Sequence, residues 1–443
     1  MDLRNLLLRA AFSAILAILS LIICRVRIPQ KLADIESRRF DLLFLIVFAA
    51  SHFLLFYTTF FLLHQKPHAD LPGYYVPQAH SVMKGLVPYR NFQSSYAPLN
   101  SYLNALLLCI RDSPLSILTF QILCDIASIP FWIGFLRRFL PETTLRRSAL
   151  LYLIQPIVLW GTCIDGKNHA CISLLLAVAL YTVARREIVS GFSYSLSFVL
   201  VKILPLIFLP ALFIGSHKRA KWLLSAVTLP VLVYGGFLVH GIDVTVPLRV
   251  EGSLRTPANL PYFVALFSGY TLPARLLDGL SLFATGVAVL IAARAQIRTH
   301  SKPRSFWKLS ISILFVLFTV LIFTKKSDPI YLTMCFFLLS AFTAVQVEGP
   351  SRWVAYPYAL LSFLGLPIAS FWFFPLHTAS GIQLHALLLA GDRNAFIMAI
   401  AQILLLSSYA LFLMKIFREL QDSSHSARLL QSDAAAPAPP VRI

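Results

Sequence analysis

Charged residues are scarce in this chain. Of its 443 residues, 13% are charged and 58% are hydrophobic, and the mean hydropathy is +0.75. Soluble domains contain about 25% charged and about 45–50% apolar residues, so this chain would expose far too much apolar surface in water. The composition excludes a globular cytosolic enzyme and predicts an integral membrane protein.

Several motifs are also missing, and each absence removes a class of structure. The six cysteines contain no CxxC pair, so the sequence predicts neither a zinc site nor a disulfide framework. No N-x-S/T acceptor occurs, so nothing requires an endoplasmic-reticulum lumen. No internal repeat is visible, which disfavours an inverted-repeat transporter. No region is long and polar enough to form a soluble nucleotide-sugar-binding domain with a glycine-rich turn.

What the chain does contain is a series of apolar runs of roughly 20 residues, the length that a membrane-spanning helix needs. They predict an all-α fold, a polytopic membrane helix bundle of about 11–13 transmembrane helices over residues 1–420, with outer-face loops and juxtamembrane helices. Both flanks of Gly191 to Ile214 are basic, which predicts a helical hairpin with Lys202 at its tip. The predicted spans are Leu6 to Cys24, Asp41 to Leu63, Leu115 to Leu136, Ser148 to Cys163, Ala170 to Ala184, Lys221 to Val239, Ala274 to Ala293, Lys308 to Thr324, Ile330 to Val347, Trp353 to Phe374 and Ala395 to Ile416.

The basic residues predict the orientation of the bundle. Lys and Arg total 38 against 19 Asp and Glu, a net charge of +19. They gather in alternate segments, and the positive-inside rule makes those segments cytoplasmic, so the charge indicates topology and no nucleic-acid partner is expected. Two long outer loops result, 64–114 and 240–273. Within the first, Asn100 to Ile110 has the apolar spacing of a helix lying along the membrane surface.

The two ends of the chain are less regular. Residues 421–443 are low in complexity and predict a disordered cytoplasmic tail. At the other end, a full crossing by the first span would place Arg4 and Arg9 outside, against the positive-inside rule.

The first outer loop carries the leading catalytic candidate. Asp70 follows a spanning helix closely, where a carboxylate could accept a proton from a substrate hydroxyl while the lipid of that substrate stays in the bilayer. A solvated loop carboxylate is the competing interpretation. Nearby aromatic side chains favour the catalytic interpretation, because they supply flat faces with hydroxyls, as sugar-binding clefts do. The predicted cleft residues of this loop are Tyr74, Tyr75, Tyr89, Arg90 and Tyr96.

Two further clusters could belong to the same cleft. Asp165, Lys167 and His169 occupy a short outer loop between two spans, although ordinary turn chemistry explains them nearly as well. Lys202 lies inside an apolar run, where a charge is costly, and we predict that it binds a phosphate with other outer cations. Snorkelling to lipid headgroups is the alternative. The other predicted phosphate-binding cations are Arg249, Arg255 and Lys326.

No cofactor is predicted. His64, His68 and His169 lack the HExxH spacing of a zinc site, so a divalent metal is not indicated. Asp125 lies in the middle of a predicted span. A packing carboxylate that bonds a neighbouring helix is favoured there over a proton relay.

The order of these motifs resembles a known family. A first outer loop with an Asp followed by paired Tyr, then K-G-L-V-P-Y-R-N-F and Y-A-P-L, is similar to the GT-C class of membrane glycosyltransferases. Within that class the pattern most resembles glycosyltransferase family 87, the polyprenyl-phosphate-mannose-dependent enzymes. The segment from G-K-N-H-A-C to V-K-I-L-P-L continues the resemblance, which covers residues 56–213.

The resemblance implies a transferase that moves a sugar, expected to be mannose, from a polyprenyl-phosphate-linked donor to a hydroxyl of a glycan or glycolipid acceptor. Transfer would take place on the outer face with inversion. Asp70 matches the family's loop aspartate, the proposed general base, and Lys202 matches the Lys of the hairpin. At Gly166 to His169 the chain departs from the pattern, since His169 stands where an acidic residue is expected.

The expected location is a bacterial plasma membrane, crossed many times, with membrane lipids in contact. Two other classes of protein stay open on the sequence alone. One is a transporter or flippase for lipid-linked glycans, and the other is a non-catalytic membrane protein of envelope assembly.

Overall fold

The computed structural model describes residues 3–67, 70–299, 302–349, 351–370 and 380–421. Over these residues the chain is helical and forms no strand beyond one isolated bridge between Pro88 and Phe92. The all-α prediction is confirmed. The helices are α1 (Leu3–Arg25), α2 (Gln30–Ala33), α3 (Ser37–Tyr57), α4 (Val76–Met83), α5 (Asn100–Ile110), α6 (Pro114–Leu136), α7 (Glu142–Leu153), α8 (Pro156–Cys163), α9 (His169–Thr182), α10 (Glu187–Leu196), α11 (Leu209–Gly215), α12 (Arg219–Val239), α13 (Val246–Ser253), α14 (Leu260–Ser268), α15 (Ala274–Ile297), α16 (Lys302–Phe323), α17 (Phe336–Glu348), α18 (Ala355–Ser370), α19 (Gly381–Leu389) and α20 (Arg393–Gln421).

Seven helical segments of the described chain are long and apolar enough to cross a membrane. By the length and composition of its helices, the chain is therefore a polytopic membrane protein. The other predicted crossings, α1 among them, are not among these seven segments, so the larger number of spans stays a prediction. The seven segments are Ser37–Leu62, Pro114–Leu136, Arg219–Val239, Ala274–Ile297, Ser305–Phe323, Pro329–Glu348 and Arg393–Gln421.

Some predicted boundaries are wrong. The predicted span Ser148 to Cys163 consists of two helices, α7 and α8, which are separated at Gln155. The break has a local cause, because Pro156 starts α8 and the Gln155 side chain caps it by accepting a bond from Ile157 N at 3.5 Å. The segment 240–273, predicted as a long outer loop, contains the short helices α13 and α14.

The hairpin predicted for Gly191 to Ile214 is confirmed. Its first arm is α10 with a π-helical turn, and its second arm is a 3-10 turn followed by α11. Lys202 lies between the arms in extended conformation (φ −158°, ψ 150°). The Tyr194 hydroxyl donates to the Pro205 carbonyl at 2.9 Å and joins the two arms. Lys202 is thereby placed at the tip of the hairpin, between its two arms.

Helix α5 has the two-sided character predicted for a surface helix. Asn100 and Asn104 are buried and face the protein, and Asn100 donates to the Leu200 carbonyl at 3.2 Å. The opposite side exposes Leu106 and Ile110, at 64% and 80%. An apolar outer side and a polar, protein-facing side suit a helix that rests against lipid.

Helix α1 buries the charge of Arg9 inside the protein. Arg9 lies beside the end of α8 and the loop that follows it, with its guanidinium 3.9 Å from the Asp165 carboxylate and 4.6 Å from the Trp160 ring centre. At the other end of the helix, Arg25 bonds the Tyr356 hydroxyl. The Arg9 charge, which argued against a crossing, is buried beside a carboxylate and a ring, so it no longer argues against one.

Asp125 is a packing carboxylate, as predicted. Its two oxygens lie 3.0 Å from His52 Nε2 and 2.7 Å from the Tyr152 hydroxyl, and all three side chains are fully buried. These bonds join α3, α6 and α7 in the middle of the bundle. The predicted tail 421–443 lies outside the described residues except for Gln421, which ends α20.

Candidate functional site

Asp70 and Lys167 form the centre of the candidate site. Lys167 Nζ donates to an Asp70 carboxylate oxygen at 2.8 Å, across 97 residues of sequence. Asp70 precedes the π-helical turn Leu71–Tyr75, and Lys167 follows Gly166 in the loop between α8 and α9. Gly166 has φ +59°, and a Cβ there would lie 2.7 Å from the Leu71 side chain. Only glycine allows this close approach, which brings the two charges together.

The Asp70 carboxylate is held ionised. Burial by itself raises the pKa of this carboxyl, but the Lys167 ammonium, with a smaller contribution from Lys202, outweighs burial and leaves the pKa below its ordinary value. For Lys167, burial lowers the pKa, but Asp70, Tyr75, Asp165 and Asp328 together outweigh burial and raise the pKa above its ordinary value. The Asp70 side chain remains 25% exposed, so a substrate hydroxyl can reach it.

A chain of aromatic contacts joins this pair to Lys202. The Tyr75 and Tyr96 rings meet edge to face with centres 5.0 Å apart, and Lys202 Nζ lies 5.9 Å from the Tyr96 ring centre. On its other side, Lys202 Nζ lies 5.1 Å from the ring centre of Tyr331, which packs 5.4 Å from the His169 ring. Residues predicted in three separate segments therefore share one site.

Lys202, Lys326 and Glu251 form a second group, here called the cation site. Lys202 Nζ lies 3.2 Å from one Glu251 oxygen, and Lys326 Nζ donates to the other. Burial raises the pKa of the Glu251 carboxyl, but the two ammonium groups outweigh it and the pKa falls below its ordinary value. Burial and the neighbouring Lys202 lower the pKa of Lys326. The two lysines thus converge on one bound carboxylate, as they would on one phosphate.

A cavity of 470 Å³ opens from the cation site between the hairpin, α13, α15 and α16. Its charged groups are the cation site and the ion pair of Lys325 with Asp278, at 2.8 Å. The rest of its wall is mostly apolar, and the wall includes Leu248 and Leu282, which are 58% and 75% exposed on the outer surface of the bundle. The apolar wall residues are Ile203, Leu204, Leu206, Ile207, Pro247, Leu248, Leu282 and Val320.

Other predicted site residues lie around this core or apart from it. Tyr89 is buried and its hydroxyl donates to the Tyr96 carbonyl, so it supports Tyr96. Tyr74 and Arg90 are exposed. Arg249 is 67% exposed and pairs with Asp243 at 2.6 Å, away from the cation site.

Arg255, also predicted to bind phosphate, is exposed on the segment between α13 and α14. Asp165 lies near the site, since its carboxylate interacts electrostatically with Asp70 and Lys167. Binding of the donor phosphate by Arg249 and Arg255 stays a prediction.

Sequence reasoning missed four residues of the site: Arg9, Glu251, Asp328 and Tyr331. Asp328 caps the turn after it by accepting a bond from Ile330 N at 3.0 Å, and its carboxylate interacts with Lys167, Lys202 and Lys326. Burial raises its pKa. The signal for these residues was weak, although an acid within an acid-poor chain is itself informative.

Among the residues that the structure describes, no group of three or more His, Cys, Asp and Glu side chains could hold a metal ion. His68 lies outside the described residues.

Comparison with protein-family models and with curated proteins gives no match for this sequence. The resemblance to glycosyltransferase family 87 therefore stays a prediction from the order of motifs. What the site does has to be inferred from its geometry and charge.

Proposed function

We propose that this protein is a membrane glycosyltransferase that moves a sugar from a polyprenyl-phosphate donor to an acceptor hydroxyl at the outer membrane face. One observation carries the proposal. An ionised, partly exposed carboxylate, Asp70, is linked through aromatic contacts to a two-lysine site that opens into an apolar-walled cavity. We expect the sugar to be mannose and the acceptor to be a glycan or glycolipid.

The cavity favours a lipid-linked donor. Lys202 and Lys326 supply two positive groups at one end, suited to a phosphate, and the apolar wall suits the first isoprenoid units of a lipid. Because Leu248 and Leu282 are exposed on the outside of the bundle, a long lipid could continue into the bilayer. A nucleotide-linked donor would have no use for this wall.

The chemistry is a single displacement at the anomeric carbon. Asp70 takes the proton of the acceptor hydroxyl, the acceptor oxygen bonds to the carbon, and the bond to the phosphate oxygen breaks. The electron pair of that bond leaves with the lipid phosphate, whose added charge Lys202 and Lys326 stabilise. Attack opposite the leaving group inverts the anomeric centre.

The remaining groups suit the sugar and the acceptor. Lys167 keeps Asp70 ionised, so the base is ready at neutral pH. Tyr75, Tyr96 and Tyr331 place aromatic rings between the base and the cation site, where a sugar ring would have to sit.

The test is incubation of the purified protein with radiolabelled polyprenyl-phosphate-mannose and membrane extract. We expect label to move into a new product. Label that crosses the bilayer of a proteoliposome while it stays on its original lipid would instead identify a flippase. Neither transfer nor transport, with donor bound, would favour a non-catalytic role.

A further inference from the structure

Glu251 has no role in the mechanism above, although it is the group that the two phosphate-binding lysines contact. Its carboxylate lies 3.2 Å from Lys202 Nζ, and it also accepts a bond from Lys326. Its side chain is 21% exposed. A carboxylate competes with a phosphate for the same donors. Its presence at this point therefore needs an explanation.

The fold holds Glu251 in place from both sides. Before α13, Thr245 N donates to the Asp243 carboxylate at 2.8 Å in the turn that leads into the helix. After α13, Thr256 N donates to the Lys325 carbonyl at 3.0 Å, and Ser327 N donates to Thr256 Oγ1 at 2.7 Å. Both bonds tie the end of α13 to the segment that carries Lys326. Glu251 and Lys326 are thus parts of one connected structure.

The charged groups of the cavity wall leave one net positive charge, and Asp328, which interacts with Lys202 and Lys326 from outside the wall, is the same whether or not Glu251 is present. The wall carries three ammonium groups, from Lys202, Lys325 and Lys326, and two carboxylates, from Glu251 and Asp278. Without Glu251 the net charge would be two. The difference matters because the two lipid phosphates of the reaction differ by the same amount.

A sugar donor is a phosphodiester with one negative charge. When the bond between sugar and phosphate oxygen breaks, the electron pair stays on the lipid phosphate and the acceptor proton goes to Asp70. The product is a phosphomonoester, which carries close to two charges well above its second pKa of about 6. A carboxylate held on the two lysines repels the doubly charged monoester about twice as strongly as the singly charged diester, so Glu251 shifts the preference of the site toward the diester.

We propose that Glu251 sets the charge of the lipid-phosphate site so that it favours the phosphodiester donor over the phosphomonoester product. The inference rests on the proposed function and adds a specificity-determining residue to it. Its consequence is that the spent lipid leaves the site more readily, because the new charge faces the Glu251 carboxylate.

The experiment measures binding of two probes to the full chain in nanodiscs. One probe is farnesyl phosphate, a monoester, and the other is its O-methyl ester, a diester. At pH 8, Glu251→Gln should tighten diester binding by several-fold and monoester binding by roughly tenfold or more, since the repulsion by Glu251 scales with ligand charge. On a logarithmic scale the gain for the monoester should be about twice that for the diester.

A second pH gives an internal control. At pH 5 both probes carry mainly one negative charge, so Glu251→Gln should tighten both equally. The matched control is Asp112→Asn, which removes the same charge from a carboxylate that is 66% exposed and outside the cavity wall, and it should leave both affinities unchanged. Lys326→Met is the reciprocal variant and should weaken the monoester more than the diester at pH 8.

The outcomes separate this inference from the proposed function. Equal gains for both probes at pH 8, or no gain, together with normal binding by the wild type, would overturn the role of Glu251 and leave the lipid-phosphate site intact. If Glu251→Gln does not fold, equal losses for both probes in Lys326→Met overturn it. Absence of binding of either probe by the wild type would overturn the lipid-phosphate site, and with it both proposals.

Discussion

Replacement of Lys202 by Met tests whether the hairpin tip binds the donor phosphate. The substitution removes one ammonium group and keeps a long, flexible apolar side chain at a position that is 10% exposed. Because the group is buried among Tyr96, Tyr331 and Glu251, salt screens it little. We expect weaker donor use with the protein still folded.

The magnitude follows from one lost contact. A hydrogen bond to a charged group contributes about 1.5 to 3 kcal/mol, and each tenfold change in affinity corresponds to about 1.4 kcal/mol. Lys202→Met should therefore lower kcat/KM for the lipid-phosphate donor by about ten- to a hundredfold. Glu251 would remain with Lys326 as its partner, which adds to the loss, because the cation site then carries no net positive charge.

The assay is the initial rate of transfer at donor concentrations below KM, with binding of farnesyl phosphate measured in parallel. Lys218→Met is the matched control, since Lys218 is exposed and follows the other end of the same hairpin. The control should resemble the wild type. An unchanged donor affinity in Lys202→Met would mean that Lys202 only reaches lipid headgroups, and the phosphate assignment would be wrong.

Three other substitutions test the remaining parts of the account. Lys167→Met removes the cation that lowers the pKa of Asp70, so activity should be lost at a higher pH than in the wild type as the pH falls; an unshifted acidic limb of the pH–rate profile would contradict the pairing. Asp125→Asn should lower thermal stability and leave the site unaltered, because it disturbs buried bonds distant from it; a normal melting temperature would show that these bonds contribute little. For topology, single cysteines in place of the exposed Arg186 and Arg255 on a Cys-free background should differ, with an impermeant maleimide labelling only the latter in intact cells. Labelling at position 186 would overturn the orientation.

The sequence predicted the elements whose signal is local. Long apolar runs identified the membrane helices, and the basic flanks identified the hairpin at Lys202. Gln155 and Pro156 interrupt the apolar run 148–163, and the hydrophobic pattern alone did not indicate that the helix breaks there. The hydrophobic signal is the same for one helix and for two short ones in series, and the difference depends on a cap.

For the site, the sequence identified side chains but not their partners. Asp70, Lys167 and Lys202 were predicted on chemical grounds, yet the ion pair of Asp70 with Lys167 depends on Gly166 and on the packing of Leu71. The local sequence does not indicate which charged residues from distant segments will pair. The pairing of a buried charge is determined by the packing of the whole fold.

Arg9 and Glu251 are two examples. The positive-inside rule treats Arg9 as a charge that opposes a crossing, whereas its guanidinium lies beside Asp165 and Trp160. For Glu251, the local sequence does not indicate that Lys202 and Lys326 will contact it. In both cases the role of the side chain depends on the residues that it contacts in the folded protein and cannot be predicted from its residue type.

The central claim is that Asp70 is the general base of sugar transfer, and Asp70→Asn tests it most directly, since Asn keeps the shape and removes the basicity. The measurement is turnover with radiolabelled polyprenyl-phosphate-mannose, alongside donor binding and thermal stability. Loss of a general base should lower turnover by about 10²- to 10⁴-fold, with a protein that purifies normally and still binds the donor. Near-normal turnover in Asp70→Asn would contradict the account and move the base elsewhere, with Asp165 as the next candidate.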